Sequence, residues 1–175
     1  LSEFILLGIG GKELSDENAI QTASALNIIQ PDFIRVHATG IKSESKMGEL
    51  VREGSFILQS EEEIVIEQKL FLQHLHEMDS FYMNEHIINL LLEVRGNLRT
   101  EKQEMLSVID RFLTLPPNEK LLFIIGRRLK VFFLLDDLEK PEQHRKAEEC
   151  LRKILSKNPD VDFSALCNYV RQSLI

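Results

Sequence analysis

Four consecutive residues, Gly8, Ile9, Gly10 and Gly11, offer the first chemistry in this chain, and they follow the apolar run Phe4-Ile5-Leu6-Leu7. Glycines where a strand turns toward a helix let a ligand approach backbone N–H groups, and they equally permit a tight turn with no ligand. The dinucleotide fingerprint needs another glycine three residues after Gly10, where Glu13 stands, and no P-loop lysine–serine pair follows. Arg35 and His37 come next. They alternate along Phe33-Ile34-Arg35-Val36-His37, so both project from one face of a strand while Ile34 and Val36 project from the other. Polar residues on one face of an otherwise apolar strand suit a lumen or cleft facing substrate; on an edge strand they are solvated side chains.

The remaining reactive types carry less. His74 and His76 stand roughly 200° apart around a helix and cannot chelate one metal together, so they read as surface histidines. His86, beside Asn84 and Glu85 at the start of an expected helix, reads as capping or packing detail. Cys150 and Cys167 both fall on apolar stripes, where cysteine behaves as a small hydrophobe. Arg127, Arg128 and Lys130 form the one compact basic cluster, read as an ordinary solvated helix face. No nucleophile–base pair and no metal-ligand set can be named.

These residues need elements to position them. A helix is predicted from Ser15, as N-cap, through Ile29, with Asp16 and Glu17 in its first turn. Strand, glycine turn, helix and strand then make a βαβ crossover of a parallel sheet, whose ligands collect at the carboxyl ends of the strands. Further strand-like runs are Phe56-Ile57-Leu58 and Phe81-Tyr82-Met83. Helices are predicted over 43–53, closed by Gly54, and from the capping box Ser60-Glu61-Glu62-Glu63 to about Glu77. Others are expected from Asn84 through Val94, from a second capping box at Thr100 and Gln103 to Pro116, and from Pro117 through Leu135 with a kink or break at Gly126. A terminal helical hairpin closes the chain. The fold class is therefore α/β, mostly helical: a partial parallel-strand barrel fragment over residues 1–58 and a helical accessory region over 59–175.

The chain has 175 residues, 43% hydrophobic and 28% charged, which excludes general disorder. A net charge of −7 disfavours nucleic acid as a partner. Two cysteines are too few for a disulfide framework or a four-thiolate site and suit a reducing, cytoplasmic compartment. Charges interrupt even the most apolar stretch, Leu121 to Leu138, so no membrane span is expected. Two parallel strands cannot bury both faces of a sheet, and the chain begins at Leu1 rather than methionine. The expectation is a piece of a longer protein, or a strand pair completed by another chain.

The chain resembles the C-terminal half of a radical S-adenosylmethionine protein, of the subgroup with the elongator-type radical domain and an extended helical tail. The resemblance lies in Leu7-Gly8-Ile9-Gly10-Gly11-Lys12-Glu13-Leu14-Ser15, Thr22-Ala23-Ser24-Ala25-Leu26-Asn27 and Pro31-Asp32-Phe33-Ile34-Arg35-Val36. It continues in Asn84-Glu85-His86-Ile87-Ile88-Asn89-Leu90-Leu91 and Met105-Leu106-Ser107-Val108-Ile109-Asp110-Arg111-Phe112-Leu113. It implies a partial barrel of parallel strands, with Gly8, Ile9, Gly10 and Gly11 near the adenosyl part of the cofactor and Arg35 and His37 facing the lumen.

The departures matter equally. The three-cysteine Cys-x-x-x-Cys-x-x-Cys motif that holds the 4Fe-4S cluster is absent, as is the Gly-Gly-Glu stretch that contacts the methionine end of S-adenosylmethionine. Both belong to the expected N-terminal half of the parent protein, the partner this chain requires. Alone it is expected to bind neither cofactor, to be inert and to self-associate. Where relatives carry a second arginine, this chain has His37. The rival reading is a helical protein-interaction module with no catalytic activity.

Overall fold

Alternation decides the first layer. In β1 (Ser2–Leu7) and β2 (Phe33–Ala38), residues Ile5, Leu7, Ile34, Val36 and Ala38 turn inward, while Phe4, Leu6, Phe33, Arg35 and His37 turn to the other face. Between these strands runs α1 (Ser15–Ile29), which buries Ala19, Ala23 and Leu26. The structure, a computed structural model, describes residues 1–174. After β2 come α2 (Lys46–Glu53), α3 (Glu61–His74) and the short strands β3 (Phe81–Met83) and β4 (Gly96–Asn97). Four helices complete the described chain: α4 (Lys102–Leu113), α5 (Pro117–Arg128), α6 (Pro141–Lys157) and α7 (Phe163–Gln172), with a 3₁₀ turn at Leu135–Glu139.

The strands lie in chain order, β1-β2-β3-β4, the first three parallel and the last antiparallel. Helices α1 and α3 pack together over one face of the sheet, where Ala19 and Ala23 allow close approach. Asn27 ties their ends: its Nδ2 donates to the His74 carbonyl at 2.9 Å and its Oδ1 accepts the His76 N–H at 2.7 Å. Among the described residues the opposite sheet face carries no helix. Along it Phe4, Leu6, Phe33 and Phe81 are 64, 47, 43 and 38% exposed, unusual for a parallel sheet, which is normally covered on both sides.

The sheet and the later helices share one core, running from Ile34, Val36 and Tyr82 through Phe71, Leu91, Phe112 and Phe123 to Phe132 and Ala147. The sheet thus draws on both sides of residue 58, because β3 and β4 belong to it and α3 packs on it. The α/β class stands, as a four-stranded mixed sheet with seven α-helices among the described residues.

Several expected elements differ. Ser15 is the first residue of α1 rather than its cap, because its hydroxyl is drawn to Glu67 at 3.3 Å. At Ser60 the expected capping box forms, and the helix ends at His74. No cap forms at Thr100; α4 starts after Glu101, whose carboxylate turns back to the Asn97 N–H at 2.7 Å. Phe56–Leu58 makes no strand.

The expected helix from Asn84 is absent. Its apolar residues are buried as anticipated, but in an irregular segment held by side-chain amides. Asn89 accepts the Ala38 N–H at 2.7 Å and donates to the Val36 carbonyl at 2.7 Å and to Asn84 Oδ1 at 2.7 Å. It occupies β2 where β3 has already ended. Helix α5 runs through Gly126 without the expected break. It ends at Arg128, Lys130 turns left-handed at φ 59°, and Phe132 folds back so closely that a Cβ on Gly126 would stand 2.2 Å from its ring. The two last helices each pack on α5.

Candidate functional site

The glycine turn sits at the carboxyl end of β1, and each glycine has a local cause. Gly8 and Gly11 adopt left-handed conformations at φ 83° and 61°, which a side chain disfavours. Gly10 is the close approach: a Cβ there would lie 2.9 Å from the Leu14 carbonyl. Most of the turn's N–H groups are committed internally. Gly8 donates to Glu67 Oε2 at 3.1 Å, Gly11 to the Gly8 carbonyl at 3.2 Å and Lys12 to the Ile57 carbonyl at 3.0 Å. Among the described residues the N–H groups of Ile9 and Gly10 have no such partner, and both line a cleft of about 270 Å³ between the turn and Ser55–Ile57.

Glu67 is the anchor beneath. Besides Gly8 and Ser15 it accepts Asn18 Nδ2 at 2.7 Å, and burial raises its carboxyl above the usual range against these bonds. The turn is therefore fixed to α3 as a rigid shelf rather than left as a loose loop.

Arg35 and His37 lie on the uncovered face, Arg35 opposite Phe4 and His37 opposite Leu6 in the parallel register. The Arg35 guanidinium stands 5.8 Å from the Phe4 ring centre and 6.0 Å from that of Phe33, and its Nε donates to Ser2 Oγ at 3.0 Å. Its two terminal nitrogens make no hydrogen bond among the described residues. His37 meets the Phe4 ring edge at 5.5 Å and stacks on His86 at 4.2 Å with 21° between the planes. Burial, then the His86 ring, then the Arg35 charge hold His37 below the ordinary histidine range, so at neutral pH it is an uncharged imidazole. His86 Nδ1 is buried without a partner, which leaves Nε2 as its available nitrogen.

The structure thus brings Arg35 and His37 to one face and the glycines to the same end of the sheet. It adds His86, set aside in the sequence as packing detail. No local spacing identifies His86; it arrives because β3 pairs with β2 three residues earlier.

The basic cluster is corrected. Arg127 and Arg128 are 2 and 5% exposed, not a solvated face. Arg127 donates to the Leu90 and Asn89 carbonyls at 2.9 and 2.6 Å and holds the irregular segment in place. Arg128 and Arg171 both grip Glu61. Burial opposes the charge of Glu61, but the two guanidiniums hold its carboxyl below the usual range. His74 and His76 are exposed, as expected. Cys167 is buried, and burial followed by the Glu61 charge pushes its thiol up to about 12, which makes it a poor thiolate ligand.

No protein-family model, curated protein or solved structure matches this chain. No helix among the described residues is long and apolar enough to cross a membrane.

Proposed function

We propose that the chain forms the closing wall of the partial barrel of a radical S-adenosylmethionine enzyme, with a helical accessory region, the cluster and its three cysteines being supplied by an N-terminal half of the same cytoplasmic protein. The observation that carries this reading is the uncovered face. Three parallel strands in chain order, helices on one side only, and Phe4, Arg35 and His37 on the other support this reading, since a barrel wall presents such a face to its lumen. The glycine shelf at the carboxyl end offers the Ile9 and Gly10 N–H groups to a ribose hydroxyl or adenine nitrogen of S-adenosylmethionine. When bound with a reduced cluster, that cofactor supplies a carbon-centred radical. This chain's part is to orient its nucleoside end and to hold substrate against Arg35 and His37.

The chain's own thiols do not fit a cluster, since Cys167 is sealed and its thiol is raised. The test is the upstream reading frame followed by assay of the whole protein. A frame lacking the three-cysteine motif sinks the reading; with the motif present, the reduced protein is expected to release 5′-deoxyadenosine, and Gly10→Val to suppress that release.

A second reading, a helical interaction module without catalysis, has one observation in its favour: Gly8, Gly10 and Gly11 are each explained by the turn alone. It requires the uncovered face to be solvated in a monomer.

A further inference from the structure

Along β1 and β2 the uncovered face carries one formally charged side chain. The positions of these strands on it are Ser2, Phe4, Leu6, Phe33, Arg35 and His37, with no acidic side chain among them. Arg35 is conspicuous there. It forms no ion pair among the described residues, in common with the exposed Arg52, Arg145 and Arg152, and of these it alone projects from the sheet.

Its geometry selects a shape. With Nε tied to Ser2 and the guanidinium within 6.0 Å of both the Phe4 and Phe33 ring centres, the two terminal nitrogens are left without a hydrogen-bond partner among the described residues, a pair of donors that matches the two oxygens of a carboxylate. One residue pair further along the strands, the half-buried His37–His86 stack adds ring N–H donors at the carboxyl end.

We propose that Arg35, His37 and His86 form a binding site for the carboxylate of a flat, largely apolar substrate, with Phe4, Leu6 and Phe33 as its walls. The inference rests on the open face being the wall of a ligand site, and it is independent of the radical chemistry. A single guanidinium beside the uncharged His37 ring, in a chain of net charge −7, suits a monoanion better than a phosphate dianion.

The test uses this chain, diluted until light scattering gives the monomer mass, with diethyl pyrocarbonate and with benzoate as probe, at constant ionic strength. Histidine modification is read residue by residue by mass spectrometry, with exposed His74 and His76 as internal controls. Benzoate is expected to protect His37 and His86 with half-effect at about 1–10 mM, the range of a small fragment held by one charged fork. His74 and His76 should react unchanged, and uncharged benzamide should give no protection. Arg35→Ala is expected to raise the half-protecting concentration by about tenfold or more, and Arg35→Lys by less. Unaltered far-ultraviolet circular dichroism and urea midpoint in both variants report that they fold. The proposal is overturned by absent protection, by equal protection from benzamide, by protection that survives Arg35→Ala, or by phenyl phosphate outcompeting benzoate. Failure here leaves 5′-deoxyadenosine release untouched, and loss of that release leaves anion binding untouched, so the two readings fail separately.

Discussion

Glu67 shows how much a single side chain can decide. It is fully buried, raised in pKa, and holds Gly8, Ser15 and Asn18 at once. Because its carboxyl is raised, the folded state carries the proton more readily than the unfolded one, and Glu67 costs stability as pH rises through its folded pKa. Glu67→Gln is therefore expected to leave stability within about 1 kcal/mol at neutral pH, since one acceptor survives and no buried charge remains. Glu67→Ala should cost about 2–3 kcal/mol by stranding the buried Gly8 N–H and removing the shorter of the two Asn18 hydrogen bonds. Urea unfolding of the two variants checks this; equal losses would mean that the carboxylate rather than acceptor geometry fixes the shelf. The residues at this scale were only partly legible. The alternation that puts Arg35 and His37 on one face is a period-two pattern and can be read directly. The partners of Arg127 and Arg128 are carbonyls and a carboxylate dozens of residues away, and a local window sees only a run of charge.

Elements reveal a different limit. Strong apolar period and a capping box identify α3, while Asn84 through Val94, equally apolar, folds without a helix: Arg127 and Arg128 take its Leu90, Asn89 and Ile88 carbonyls from outside, and Asn89 turns its own amide to β2. The docking of α7 depends on a similar long-range tie. Arg171 reaches Glu61, and Asn168 exchanges hydrogen bonds of 3.1 and 3.2 Å with the Ile41 backbone. Removing Glu61 leaves two buried guanidiniums unpaired, so Glu61→Ala should destabilise by about 3–5 kcal/mol. Glu61 is also expected to govern acid sensitivity. Its folded pKa lies below the ordinary value of 4.5, so its stabilisation is complete above that value and is lost as pH falls through the folded pKa. In the wild type Cys167 should resist alkylation while half-buried Cys150 reacts; in Glu61→Ala both should label. Resistance of Cys167 in that variant would show α7 held by Asn168 and packing alone.

At the scale of the whole molecule the bare sheet face dominates. Isolated, the chain presents Phe4, Leu6, Phe33 and Phe81 together with the unpaired outer edge of β1, and light scattering should give about twice its 20.2 kDa mass at micromolar concentration. Phe4→Lys with Leu6→Lys should restore the monomer without loss of helix signal. A wild-type monomer would favour the interaction-module reading.

The two sheet edges are not equivalent. At the far side β4 is only two residues long, the Asn97 N–H is taken by Glu101, and Asn89 has already filled the ladder positions of β2 beyond β3. The sheet is therefore monovalent: one edge accepts a strand and the other terminates. Two copies joined through β1 pair about a two-fold axis and leave nothing further to add, so the exposed edge leads to closed dimers or to one correct partner, and not to filaments.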